Sequence, residues 1–204
     1  QSGADETIKA CVGKPTACEN GTGELSAAIT KRTYLASVKL PTKQSDWSLT
    51  IQEGPRTNVS SVAAQEYMSL TAMVNNSGTF CNSSATFDNN PLFFSSSNLA
   101  VNYDPGIKNP DSDVLEIKLV SPKNSLQTSL TYKSPYTATN PFTSQSGISV
   151  NPTNGKISFT PTKAQETSIL ATQIKETRGG IVVGSVTREM YFQTLSEQTS
   201  PPTF

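Results

Sequence analysis

Alternation of apolar and polar residues over short stretches constrains this chain most strongly. In residues 146–165, Ile148 and Val150 alternate with polar residues, Pro-Thr-Asn-Gly follows, and Ile157 and Phe159 resume the alternation. Successive side chains of a strand point to opposite faces, so this pattern predicts two strands joined by a tight turn. The segment is therefore interpreted as a β-hairpin that turns one apolar face towards a core.

Similar segments recur along the chain, and none has convincing helical periodicity over more than two turns. Strands of about five to ten residues separated by turn signals are typical of β-sandwiches. The Gly179-Gly180 pair can supply the positive φ angles of a hairpin turn between the last two strands. The sequence thus predicts an all-β protein. Its other predicted strands are 34–40, 46–53, 65–76, 114–122, 129–134, 167–177 and 181–195.

Composition restricts the classes of partner. Hydrophobic residues make up 34% of the chain, charged residues 16%, and the net charge is zero. Nucleic acids and anionic membranes select basic surfaces, so neither is an expected partner. No apolar run approaches the ~18 residues of a membrane-spanning helix, and no membrane insertion is expected. The start at Gln1, without Met, predicts a removed signal peptide or a fragment of a longer chain.

The residues around the predicted hairpin resemble a known family. The stretch "GISVNPTNGKISFTPT" resembles a segment of bacterial Ig-like and cadherin-like domains, the putative-Ig type. The motifs "FDNNPLFF", "NYDPGIKNPDSDVLEIKLVSP", "TNPF" and "KETRGGIVVGSVTREMYFQ" follow the order found in Ig-like surface proteins of the Bacteroidota. Those proteins are linked to gliding motility and type IX secretion. In the first half, "IKACVGKPTACENG", "YLASVKLP" and "SDWSLTI" are similar to their upstream part.

The segment patterns and the resemblance together predict two Ig-like or cadherin-like β-sandwich modules in tandem. The first module spans residues 1–86 and can lack its first strands, the second spans 87–196, and 197–204 form an extended tail. The resemblance implies a non-enzymatic structural or adhesive module of a secreted bacterial cell-surface protein. Other protein modules, or cell-surface and extracellular glycans, are then the expected partners. Two alternatives stay open: a filament subunit that self-assembles by strand exchange, and a carbohydrate-binding module.

The strongest candidate site is a set of oxygen-bearing side chains, Asp104, Asn109, Asp111 and Asp113. Calcium takes six to eight oxygen ligands, which closely spaced acidic residues in a loop between strands can provide. The resemblance implies a cadherin-like calcium site here, and calcium is the only cofactor expected. A polar turn is the alternative, because Asp, Asn and Ser favour turns for local reasons.

The chain has three cysteines and no histidine. Cys11 and Cys18 enclose a short loop and are the predicted disulfide pair, with three free thiols as the alternative. The absence of histidine excludes Ser-His-Asp and Cys-His catalysis, and a zinc site is improbable. No enzymatic activity is therefore predicted. The carboxylates of Glu116, Glu176 and Glu189 are assigned solvent-facing or structural roles.

Aromatic pairs are the candidates for the carbohydrate alternative. Trp47 with Tyr34, or Tyr132 with Tyr136, could stack on a sugar, although aromatic residues of a sandwich more often belong to its core. A further expectation concerns Arg188, which falls on the inward parity of the last strand. It is predicted to extend to the sheet end or to pair with Glu176 or Glu189.

Overall fold

The computed structural model describes residues 6–7, 30–31, 33–79 and 81–195. All of the regular secondary structure in these residues is β, which confirms the predicted fold class. The strands are β1 (Glu6–Thr7), β2 (Thr30–Lys31), β3 (Trp47–Glu53), β4 (Met68–Val74), β5 (Thr86–Phe87), β6 (Leu92–Ser96), β7 (Val101–Tyr103), β8 (Ile107–Lys108), β9 (Val114–Val120), β10 (Ser149–Val150), β11 (Ile157–Phe159), β12 (Thr167–Arg178) and β13 (Ile181–Leu195).

The chain divides into two compact units, Gln1–Thr42 and Lys43–Phe204. In the first unit, β1 and β2 form a short antiparallel pair. The second unit contains strands β3 to β13 and is built around one large sheet.

The large sheet has the order β3-β4-β13-β12-β9, and β6 also pairs with β13. The pairing of β12 with β13 confirms the hairpin predicted from the Gly-Gly pair, and this hairpin lies at the centre of the sheet. β12 pairs along nearly all of one side of β13. Two shorter strands divide the other side of β13 between them. β4 pairs antiparallel with its first part and β6 pairs parallel with its last part.

A three-stranded sheet of order β10-β11-β7 packs on one face of the large sheet. Three rings form the centre of this core: Phe142 lies 4.4 Å from Phe159 and 4.5 Å from Phe192 between ring centroids. Alternate residues of the strands supply the apolar side chains, as the period of two requires. The buried members of this core are Val101, Tyr103, Phe142, Ile157, Phe159, Leu170, Met190 and Phe192.

Irregular chain covers the opposite face of the large sheet. Ile169, next to Leu170 on β12, points to this second face and packs with Val59, Val62 and Leu130. β12 is therefore buried on both sides, which explains why its sequence reads as a near-continuous apolar run from Ile169 to Ala171. The fold is an unequal sandwich with a further layer of loops behind the large sheet.

The predicted hairpin is confirmed by the pairing of β10 with β11. Asn151 initiates its turn, because its Oδ1 accepts hydrogen bonds from the backbone N–H groups of Thr153 and Asn154. Gly155 ends the turn with φ +71°, and a Cβ there would lie 2.6 Å from Cδ1 of Ile107. Glycine is thus required both by the backbone angle and by close packing.

Two expectations about the first half differ from the structure. The strand predicted at 34–40 is wrong, because residues 35–40 form no strand and Leu35 and Val38 are 80% and 68% exposed. The predicted division at 86/87 lies within one folded unit, since β3 and β4 precede it and share a sheet with β9, β12 and β13. The tandem of two modules is therefore not confirmed.

Candidate functional site

The acidic loop between β8 and β9 is held in shape by its own asparagine. Oδ1 of Asn109 accepts a hydrogen bond from the backbone N–H of Asp113 at 3.1 Å, and Nδ2 donates to the Asp113 carbonyl at 2.6 Å. Ser112 adopts a positive φ of 57° in the same loop. Asn109 thus stabilises the loop through hydrogen bonds to its backbone, as asparagine commonly does in turns.

The two carboxylates of this loop converge on Arg178 at the end of β12. Nε of Arg178 lies 2.6 Å from Oδ1 of Asp113, and Nη2 lies 2.8 Å from Oδ2 of Asp111. The backbone N–H of Ser83, followed by the guanidinium, lowers the pKa of the Asp111 carboxyl. Arg178 also donates to the Cys81 carbonyl at 2.9 Å. The cluster therefore ties the 81–83 segment to the sheet.

The fourth residue of the predicted set, Asp104, has other partners. Its Oδ1 accepts a hydrogen bond from the Gly106 N–H at 2.9 Å, and its Oδ2 lies 3.0 Å from Nζ of Lys156. The Gly106 N–H, and then Lys156, lower the pKa of this carboxyl. Among the residues that the structure describes, no group of three or more His, Cys, Asp or Glu could hold a metal ion. Calcium stays a prediction, and it would have to compete with Arg178 for Asp111 and Asp113.

A buried ion pair joins the centre of the sheet to the layer behind it. Arg56 and Glu189 are 5% and 8% exposed and contact each other through two bonds of 2.6 and 2.7 Å. Nη1 donates to the Tyr67 carbonyl at 2.5 Å, and Nη2 also donates to the Lys123 carbonyl at 2.6 Å. Every guanidinium nitrogen and both carboxylate oxygens are thus hydrogen-bonded, as a buried ion pair requires.

The expected pairing of Arg188 with Glu176 or Glu189 is wrong. Its guanidinium lies 4.3 Å from the ring centroid of Phe87 and donates to the carbonyls of Asn89 and Pro105. Burial lowers the pKa of this arginine. The side chain therefore fastens the loops beside β7 and β8 to β13.

Two further buried carboxylates are also engaged by loops. Glu176 accepts hydrogen bonds from the Ala85 N–H at 2.6 Å and from Nδ2 of Asn82 at 3.2 Å. Burial raises the pKa of Glu176. Glu166 accepts from the Thr143 N–H at 2.7 Å and from the hydroxyl of Tyr136. Glu116, by contrast, is exposed and pairs with Lys175.

Two of the aromatic residues proposed to stack on a sugar, Tyr132 and Tyr136, use their hydroxyl groups in hydrogen bonds within the fold. The Tyr132 hydroxyl donates to the Ile169 carbonyl at 2.7 Å, and the Tyr136 hydroxyl donates to Glu166. A cleft of about 160 Å³ opens between residues 56–59, residues 62–66, Lys133 and Ile169. Its lining mixes apolar and polar side chains, and its volume is below the ~300–1,000 Å³ of typical small-molecule pockets.

The outer strand β3 is the most accessible part of the large sheet. Every residue from Ser48 to Glu53 is exposed, including Leu49 at 41% and Ile51 at 45%. Among the described residues β3 pairs only with β4, so no described strand lies along its other side. A sheet edge presents backbone N–H and C=O groups that another strand can bind.

Cys11 and Cys18 lie outside the described residues, and Cys81 is an exposed free thiol. No helix in the described part of the chain is long and apolar enough to cross a membrane. Searches of protein-family models, curated proteins and solved structures found no match to this chain.

Proposed function

We propose that the chain is a non-enzymatic structural or adhesive module of a secreted bacterial cell-surface protein. The observation that supports this most is the use of the buried charges. Arg56, Glu166, Glu176 and Glu189 each bind loop groups, so they hold the irregular layers to the sheet. Reactive groups in enzymes instead face a cleft where a substrate can reach them. Of these four residues only Arg56 lines the cleft beside Lys133, and its guanidinium is engaged by Glu189 and two backbone carbonyls. A sandwich fastened in this way suits a rigid spacer that presents its loops and edges.

Adhesion by the full chain can be tested on coated beads. Beads carrying the chain are allowed to settle on immobilised polysaccharides, on extracellular-matrix proteins and on a layer of the chain itself. We expect retention on at least one surface, above that of albumin-coated beads. Retention no better than albumin on every surface contradicts the adhesive role.

A second candidate, a filament subunit built by strand exchange, is favoured by the accessible edge of β3. Addition of a strand to an exposed edge is a common mode of protein recognition. The carbohydrate alternative depends on the cleft beside Lys133. Replacing Lys133 by Glu should abolish retention on polysaccharide only if the cleft binds the glycan, and Lys118→Glu on the exposed face of β9 is the matched control.

A further inference from the structure

The middle of β3, Ser48–Gln52, lacks the devices that usually protect a sheet edge. Natural edges carry lysine, proline or a bulge. Ser48–Gln52 has neither proline nor charge, and its register with β4 is unbroken. The opposite edge differs, because β9 carries Glu116 and Lys118 and its Ile117 N–H is already bonded to the Pro152 carbonyl. The β3 edge is therefore the one suited to accept a strand.

A strand-like segment without a ladder lies in the other unit. Residues 35–40 alternate Ala36, Val38 and Leu40 with Leu35, Ser37 and Lys39, yet they form no strand. Leu35 and Val38 are 80% and 68% exposed. Alternation of this kind indicates a strand with one apolar face. The segment has the pattern of a strand, and no strand of the described residues pairs with it.

We infer that residues 35–40 of one copy add as an antiparallel strand to the outer edge of β3 in a second copy. This inference rests on the second candidate function above and names its donor and acceptor. With Val38 opposite Leu49, Ala36 lies opposite Ile51, so apolar side chains meet on one face. Lys39 then lies opposite Ser48, and Ser37 opposite Thr50. No like charges oppose each other, and such cross-strand pairs stabilise a sheet.

Exchange between copies leaves each molecule with one donor and one acceptor. Because donor and acceptor are different surfaces, the contact is heterologous and the assembly is open-ended unless its rotation closes a ring. The zero net charge of the chain imposes no long-range repulsion between copies. Self-association should therefore proceed at moderate ionic strength and increase with protein concentration.

Complementation between two defective variants tests the inference. Val38→Pro removes a backbone donor from the segment, and Leu49→Lys places a charge on the β3 edge. By light scattering after size exclusion, we expect wild type to form a concentration-dependent series of oligomers and each variant alone to be monomeric. An equimolar mixture should give a one-to-one dimer, because each variant keeps the surface that the other lacks.

Two controls make the result decisive. Val114→Lys replaces an exposed apolar residue on the β9 edge and should associate as wild type does. Val38→Asp is the second donor variant, and circular dichroism confirms that each variant keeps its strand content. A mixture that stays monomeric, or a Val38→Pro chain that still associates, overturns the donor assignment. A wild type that is monomeric at every concentration overturns strand exchange altogether, while bead retention of monomeric Val38→Pro reports the adhesive role separately.

Discussion

β12 and β3 belong to the same sheet, but one strand is buried and the other is exposed to solvent. β12 is buried on both faces between the sandwich core and the loop layer, and its Leu170 is 0% exposed. β3 is exposed from Ser48 to Glu53. Burial and accessibility are therefore divided between different strands of this sheet. Central strands hold the molecule together, and an outer strand keeps its backbone groups available.

The charged residues follow the same division. In the centre, Glu166 and Glu176 on or beside β12 and Glu189 on β13 are buried and bind loop groups. At the β9 edge, the pair of Glu116 and Lys175 is exposed to water. Buried charges are costly unless fully hydrogen-bonded, whereas exposed pairs contribute little. The same residue types therefore have different consequences at the two places.

The largest effect is expected at the centre of the core. Leu170→Ala removes a fully buried side chain that packs with Phe142 and Phe192. The lost burial and the cavity should lower the free energy of unfolding by about 2–5 kcal/mol. Urea denaturation followed by circular dichroism measures this loss. A loss well below this range would mean that β12 is not the packed centre of the sheet.

Local sequence signals predicted some strands of the sheet correctly and one strand wrongly. β3, β4, the 148–159 hairpin and the β12–β13 hairpin were predictable because alternation and turn residues are local signals. The segment at 35–40 has the same local signal but no strand, because a ladder needs a neighbour that no local pattern specifies. The sheet joining residues on both sides of 86/87 depends on long-range pairing of β4 with β13.

The charged sites were predictable only in part. The acidic residues of the 104–113 loop are conspicuous in the sequence, but Arg178 lies 65 residues beyond Asp113 and has no motif of its own. The same holds for Arg56 and Glu189, which are separated by 133 residues. One available signal was a carboxylate within an apolar strand, as at Glu189, because such a group needs a partner.

The second prediction compares two ion pairs on this sheet. Glu189→Gln leaves the buried Arg56 without a counter-charge, and we expect a loss of about 3 kcal/mol in unfolding free energy. Glu116→Gln breaks a pair that is exposed to water and screened by it, so its loss should be much smaller. Both are measured by urea denaturation. Equal losses for the two variants would contradict the assignment of Glu189 to the interior.

The third prediction uses the titration of Glu176. Because burial raises the pKa of this carboxyl, its contribution to stability is full below the ordinary carboxyl range and is lost as pH rises through the raised pKa. Asp104 and Asp111, whose pKa values are lowered, lose their contribution only as pH falls. In the window above the ordinary glutamate range, wild-type stability should therefore fall with pH. Glu176→Gln should remove that fall, and an unchanged slope would contradict it.

The fourth prediction concerns calcium and Arg178. If the acidic loop binds calcium, the cation must displace the guanidinium from Asp111 and Asp113. The melting temperature should then rise with calcium and fall with chelator, and the rise should be larger in Arg178→Gln than in wild type. Thermal scans with calcium and with chelator measure these shifts in wild type and in Arg178→Gln. Arg56→Gln is the control, because it removes an arginine that does not contact the acidic loop. Identical shifts in all three chains, or no shift in any, remove the calcium site.

The smallest effect is expected at the β3 edge, and it completes the comparison with Leu170. Leu49→Ala shortens a side chain that is 41% exposed, so little apolar area and no closed cavity are involved. The free energy of unfolding of the monomer should change by less than about 0.5 kcal/mol. Denaturation at low protein concentration, or in the Val38→Pro background, keeps association from contributing to the measurement. A loss comparable to that of Leu170→Ala would mean that β3 is covered in the folded chain, and its edge would then not be open to a second copy.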